Sequence, residues 1–411
     1  MINRKVQAVN SQRNRSLIII EGLFANFTLG FMFIWTVMRK PLLLLFPTWT
    51  EGMLSLIFGL HNLFICLGIL IGGRLCAKFG GRVMFRLFSI MTFIGFGGFA
   101  LLPESNPELA YVIAFILFCI VAATGTGFGI CSVQSHTIPW FPEKSGMISG
   151  ILYMALGLSS VILTLLSGLI LPAFGAKITM FIFGAIIFVI ATVILFDKNA
   201  ITLPQSNLAN DNSKLEETGL KPKEMLKSPV FWLLLLWNVG VRTSGLIMLD
   251  HVAGLSVFYG GITVVGMLIS PFNALGCVTL GTSLDKLGIK KITVSISTSM
   301  LIACGFLVSG HFMNCYPVIL IGILFAGFSY GGCNSTFPAT IKNSFGARYY
   351  TENFGFANLA IGIAAFIESA SGSVLDGANG NYLSIMIMMA IITVPSLIAG
   401  IIIWFNKNIN K

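Results

Sequence analysis

The order of apolar and polar positions divides this chain into long hydrophobic runs, separated by short polar or glycine- and proline-containing breaks. Crossing about 30 Å of hydrocarbon as a helix takes roughly 20 apolar residues. Runs of that length lie near 17–38, 53–75, 83–102, 110–136, 147–172, 176–196, 229–252, 261–284, 290–311, 316–342, 352–375 and 382–405. In lipid only helices and closed barrels satisfy every backbone N–H and C=O, and runs this long and continuous predict helices. The pattern therefore predicts an all-α membrane protein with twelve transmembrane helices. A composition of 56% hydrophobic and 10% charged residues excludes the soluble globular class.

One break is longer than the rest. Residues 197–229, "DKNAITLPQSNLANDNSKLEETGLKPKEMLKSP", are polar and nearly devoid of aromatic residues, so they read as a flexible or weakly helical connector. The expected organisation is a six-helix bundle over 1–197, a linker over 198–228 and a second six-helix bundle over 229–411. The halves echo each other. "GGRLCAKFGGR" at 72–82 follows the second run and "GTSLDKLGIKK" at 281–291 follows the eighth, each a glycine-bounded turn ending in cations. "CSVQSHTIPWFPEKSGMISG" after the fourth run has a weaker counterpart in "CNSTFPATIKNSFGARYYTENFGFA" after the tenth. Duplicated bundles are the pattern of secondary transporters, whose substrate site lies near the bilayer midplane between the repeats.

Charge changes the picture by fixing orientation. The formal net charge is +10. With the N-terminus inside, nearly all Lys and Arg fall in segments facing the cytoplasm, and only Arg39, Lys40 and Lys177 face out, with Arg242 inside a run. The positive-inside rule then predicts cytoplasmic N- and C-termini. Basicity reports topology, not a nucleic-acid partner. The basic segment 1–16 precedes a run of span length with no small-residue cleavage site, which predicts a retained helix. The eight Cys lie mostly inside the runs without metal-ligand spacing, so they read as packing residues and no metal or cofactor is expected.

The turns Gly73-x-Leu75…Lys78-x-Gly80…Arg82 and Gly281…Asp285-Lys286-x-Gly288…Lys290 resemble the loop signature of the major facilitator superfamily. Two further stretches, "FIWTVMRKPL" at 33–42 and "WFPEKSGMISGI" at 140–151, are similar to the oxalate/formate antiporter family, relatives of the monocarboxylate transporters. The resemblance implies two pseudo-symmetric six-helix bundles and alternating access. It also exposes departures. The family's Asp in the first turn is Ala77 here, whereas the second turn keeps Asp285. The cations that the oxalate antiporter uses to neutralise a dianion fall at or beside Cys277 and Ile361, neither of them charged, so oxalate is not the expected substrate.

Candidate chemistry follows from cost. An ionised side chain at mid-bilayer costs at least about 2.5–3.5 kcal/mol on insertion scales, so Glu21, Arg242, Asp250 and Glu368 each need water, a partner or a ligand. Arg242 sits roughly 20 Å along its helix from the polar connector, beyond the reach of snorkelling. Its planar fork suits a carboxylate, and the alternative is a standing ion pair with Asp250 or Glu368. Asp250 reads as an outer-gate or proton-linked carboxylate, or as a solvated helix end. Glu368 reads as a proton-coupling carboxylate or a paired one, and Glu21 as a group that reaches cytoplasmic water. Trp35, Tyr153, Trp237 and Tyr330 are candidates to wall a cavity. Arg39 and Lys40 are candidates to attract anions or to anchor the helix at the interface. His61, His136 and His311 form no ligand cluster, and each reads as a hydrogen-bonded packing group.

Taken together, these readings predict a transporter of a small organic anion, a monocarboxylate, by antiport or proton symport. Arg242 binds the carboxylate with Trp35, Tyr153, Trp237, Tyr330, Cys277 and Ile361 around it. Lys78, Arg82, Asp285 and Lys286 gate the cytoplasmic side, while Asp250 and Glu368 couple or gate. The expected partners are the anion, membrane lipid and protons, in a monomer of a bacterial cytoplasmic membrane. The competing readings are an exporter of amphipathic compounds and a non-transporting sensor. An enzyme is not expected, since no paired catalytic groups recur at one depth and no phosphate loop ending in Lys-Ser/Thr is present.

Overall fold

A computed structural model describes residues 15–197, 200–202, 219–261 and 268–406. Its helices are α1 (Arg15–Leu29), α2 (Ile34–Leu45), α3 (Glu51–Phe79), α4 (Gly81–Gly97), α5 (Pro107–Phe115), α6 (Ala123–Thr137), α7 (Ser145–Phe196) and α8 (Pro222–Lys227). They continue as α9 (Pro229–Phe258), α10 (Ile269–Phe312), α11 (Tyr316–Phe345), α12 (Tyr350–Ala357), α13 (Leu359–Glu368), α14 (Ser371–Gly377) and α15 (Leu383–Phe405). No strand occurs among the described residues. Among the described residues, eleven helical segments are long and apolar enough to cross a membrane. One of them, Ile269–Phe312, takes in the predicted run 261–284 from residue 269 onward and all of 290–311 in its 44 residues, so the count agrees with the twelve-helix expectation.

The joints between runs are glycines. Within α7 the helix turns at Gly175 (φ 73°, ψ 173°) and within α10 at Gly288 (φ 76°, ψ 171°). At such angles a Cβ would collide with the backbone, so glycine carries the bend. Other boundaries moved. The first run continues through Pro41 to Leu45, and the eleventh divides into α12, α13 and α14. A π-helical turn, Ile116–Ala122, joins α5 to α6. Of the polar connector, the described part forms the short α8, with Leu220 N–H donating to the Phe345 carbonyl. Residues 203–218, where flexibility is expected, lie outside the described residues.

Contacts group the chain into two compact units. Unit 1 holds Met1–Ser145, Ser159–Met225 and Ile341–Leu359; unit 2 holds Gly146–Leu158, Leu226–Thr340 and Ala360–Lys411. Each unit thus contains a segment from the other half of the chain. Unit 1 packs on aromatic rings: Phe31 meets Phe183 edge-on at 5.8 Å, and Trp35 stacks on Phe118 at 4.4 Å. Its α3 and α6 approach closely at Gly68 and Gly127, where an added Cβ would lie 2.5 Å from the carbonyl oxygens of Thr124 and Ile65. In unit 2, the Ser244 hydroxyl meets Thr393 at 2.8 Å and ties α9 to α15. Small residues at helix contacts substitute backbone proximity for the hydrophobic effect, which lipid does not supply.

Candidate functional site

Unit 2 gathers the residues around Arg242. The side chain is buried on α9, and its Nε donates to Asn238 Oδ1, one turn earlier, at 3.1 Å. Asn238 in turn donates from Nδ2 to Cys333 Sγ at 3.1 Å. This i, i−4 pair fixes the guanidinium with one of its five donors and leaves the two terminal nitrogens without a protein partner among the described residues. No carboxylate of the described residues stands within salt-bridge distance of it.

Two phenols lie within the electrostatic reach of the cation. Tyr153 and Tyr330 are both buried and both feel the Arg242 charge, as does Cys333. Local sequence explains their approach. A Cβ at Gly245 would overlap the Tyr330 ring, and one at Gly150, a turn before Tyr153, would overlap the Cys277 carbonyl. Cys277 is buried, and its thiol donates to the Gly331 carbonyl at 3.2 Å. The arrangement offers a fixed positive fork and polarisable, hydroxyl-bearing walls, which is chemistry for holding an anion and not for bond cleavage.

The structure does not bring every predicted residue here. Trp237 is fully buried and its indole N–H donates to the Thr293 carbonyl at 2.9 Å. That bond ties α9 to α10. Trp35 belongs to the aromatic core of unit 1, where its N–H donates to the Leu54 carbonyl at 3.2 Å. Ile361 is buried on α13 of unit 2. Asp250 is no helix end, since α9 runs two turns further to Phe258. Its carboxylate lies 3.7 Å from His251 Nε2, which also meets Ser371 Oγ at 2.8 Å. Glu368 is buried at the end of α13.

The predicted gating turns take up distinct roles. The Asp285 carboxylate accepts the N–H groups of Gly146 and Met147, each at 2.8 Å, and so caps α7. Lys286 beside it is exposed. Arg82 donates to the carbonyls of Leu195 and Asp197, meeting the negative end of α7. Lys78 is exposed and lies over the Phe79 ring at 5.2 Å. Asn238 and Gly245 were not singled out by sequence reasoning. The Asn-x3-Arg spacing is the signal that finds Asn238; a glycine among 44 offers none.

The comparisons with known proteins agree with this architecture. The sequence profile of the Major Facilitator Superfamily matches residues 17–368. The chain is 24% identical over 363 residues to an uncharacterised MFS-type transporter, YhjX, of Escherichia coli K12, covering 87% of each. It is 27% identical over 318 residues to the oxalate:formate antiporter of Oxalobacter formigenes, covering 74% of this chain and 71% of that one. Among solved structures, the proton:xylose symporter XylE bound to 6-bromo-6-deoxy-D-glucose superposes with a TM-score of 0.73 at 15% identity, covering 94% of both chains. A bacterial homologue of the iron transporter ferroportin, in an outward-facing state, gives 0.71 at 15% identity, covering 95% of this chain and 98% of that one. With a profile match over most of its length, twelve apolar runs and glycine-jointed bundles, this chain belongs to the Major Facilitator Superfamily and is a multi-pass membrane transporter working by alternating access, not an enzyme.

Proposed function

We propose that the cargo is a small organic anion carrying one carboxylate, moved by antiport or proton symport across a bacterial cell membrane, with both chain termini cytoplasmic. The observation that carries this reading is the Arg242 guanidinium, buried on α9 and held by Asn238 alone, with no acid of the described residues paired to it. A charge kept in that place must be answered, and a carboxylate answers it bidentately. Tyr153 and Tyr330 supply hydroxyls within the reach of its charge, while Cys277 and Ile361 stand at or beside the positions of the two cations that the resemblance implies for a dianion, and neither is charged, which favours one negative charge over two. The oxalate:formate antiporter, by its name, handles carboxylates, and this supports the class.

A thermal-shift series with formate, lactate, pyruvate and oxalate tests it. The monocarboxylates are expected to raise the melting temperature of the wild type and to leave Arg242→Ala unmoved. Truncating one side of a buried charge pair costs about 2–5 kcal/mol, an affinity loss of at least roughly thirtyfold. Arg242→Lys keeps the charge without the fork and should fall between. Equal shifts in wild type and Arg242→Ala would remove the anion site.

A further inference from the structure

His61 lies in unit 1, about 15 Å along α3 from Glu51 at about 1.5 Å per residue, in the middle of a helix long enough to span. The ring is fully buried. Nδ1–H donates to the Phe118 carbonyl at 2.9 Å, which fixes the tautomer and turns Nε2 into a bare lone pair. That nitrogen is buried with no hydrogen-bond partner. A buried, unmade hydrogen bond costs about 1–3 kcal/mol, and a leucine or phenylalanine would avoid the cost altogether. The site around it is also unusual. Phe118 sits in the π-helical turn Ile116–Ala122, and its carbonyl also accepts the N–H of Ala123, five residues on. Single π turns inside α-helices recur at functional sites. The His61 ring stacks on Phe118 at 4.1 Å, and Phe118 stacks on Trp35 at 4.4 Å, so the imidazole ends a ladder of three rings.

We propose that His61 is the proton-carrying group of the transport cycle: its Nε2 lone pair takes a proton from water on one side of the membrane and returns it to water on the other. A lone pair held without a donor is the form ready to accept a proton, and the face of the Phe118 ring supports the cation once formed. The charged form is costly in a dry bundle, so protonation accompanies the opening of α3 to water, which is what coupling requires. The neighbouring titratable groups are spoken for. From the π turn, the Cys119 thiol donates to the Ile57 carbonyl one turn from His61, and from α5 the Tyr111 hydroxyl donates to the Met53 carbonyl two turns away. The α2 helix faces this region with Trp35 and brings Arg39 one turn further along. The charges of α4 and α12, Arg82, Arg86 and Glu352, belong to the opposite end of α3, beside Phe79 and Gly73. No ion pair to His61 exists among the described residues. This proposal rests on the chain being a transporter and not on the anion reading of Arg242.

The test separates the two. With only four histidines in the chain, 15N-histidine NMR of the full protein in nanodiscs resolves each, assigned by single substitutions. His61 Nε2 is expected to gain a proton on acidification, at the pH at which proton movement by the same preparation begins. In proteoliposomes loaded with a pH dye and offered formate, pyruvate or xylose, whichever probe moves should carry protons in wild type. In His61→Phe, which keeps the stacked ring, exchange of that probe should persist while proton movement is lost, whatever the fate of Arg242→Ala. An Nε2 that stays unprotonated in wild type at every pH at which protons are moved overturns the proposal even if the variant does not fold. Proton movement that survives His61→Phe overturns it as well.

Discussion

The two glycine turns that gave the chain its family resemblance end in different electrostatics. In unit 2, Gly281 lies against the first turn of α7, and four residues on Asp285 caps that helix through Gly146 and Met147. In unit 1, Gly73 lies against Thr351 and Glu352 in the first turn of α12, and four residues on stands Ala77. The backbone approach is common to both, whereas the carboxylate is not. Yet each helix start has one. The first turn of α7 contains no acid of its own and borrows Asp285, while α12 carries Glu352 in its first turn. The positive end of a helix is therefore answered in both units, from a neighbouring helix in unit 2 and from within the helix in unit 1. Opening the turn strips α7 of its cap and leaves α12 with its own.

The largest test of this contrast is steric. A Cβ on Gly281 would lie 2.5 Å from the Gly146 carbonyl oxygen and 3.1 Å from the Gly150 Cα, backbone on both sides, whereas one on Gly73 would lie 2.9 Å from the Thr351 carbonyl oxygen and 3.2 Å from the Gly355 Cα. Overpacking of this kind costs about 1–3 kcal/mol. Gly281→Ala is expected to depress the melting temperature and slow substrate exchange more than Gly73→Ala. A reversed order would show that the closer contact is the more compliant one.

Next in size is the cap. Asp285→Ala removes the acceptor of two amides, and helix caps are worth about 1 kcal/mol, close to a fivefold change in a two-state population. Amide hydrogen exchange reads it directly, with Gly146 and Met147 expected to lose protection while Thr351 and Glu352 keep theirs. Loss at all four would mean that the turns are not independent.

Much of this architecture was legible in the run pattern, because lipid forces apolar runs and internal hydrogen bonding on every crossing. The breaks near 173–175 and 285–289 fell at the glycine joints for the same reason. The division of the eleventh run was not legible, since the ends of α12 and α13 depend on which backbone groups find partners after packing. Arg242 stood out because a mid-run guanidinium is expensive wherever it points. The Trp237 bond to the Thr293 carbonyl was not legible, because an indole reads the same in sequence whatever its N–H meets. His61 passed as a packing group since sequence does not show that Nε2 goes unanswered.

The smallest effect, and the sharpest, is a gain. Ala77 stands four residues after Gly73 as Asp285 stands four after Gly281, and both glycines touch the residue that follows a helix start, Thr351 after Tyr350 and Gly146 after Ser145. Ala77→Asp therefore places a carboxylate where it can accept the first free amides of α12, reproducing the cap of α7. The gain should be a fraction of the usual cap value of about 1 kcal/mol, for two reasons. Ala77 is exposed, so solvent screens the new charge. Glu352 already answers the same helix end, and a second acid beside it is repelled. The expected result is added exchange protection at Thr351 and Glu352 with little change in melting temperature, and a larger gain when Glu352→Gln removes the competitor. Should Ala77→Asp add nothing even in the Glu352→Gln background, the two turns are alike in backbone only, and the missing acid of the first turn has no electrostatic meaning.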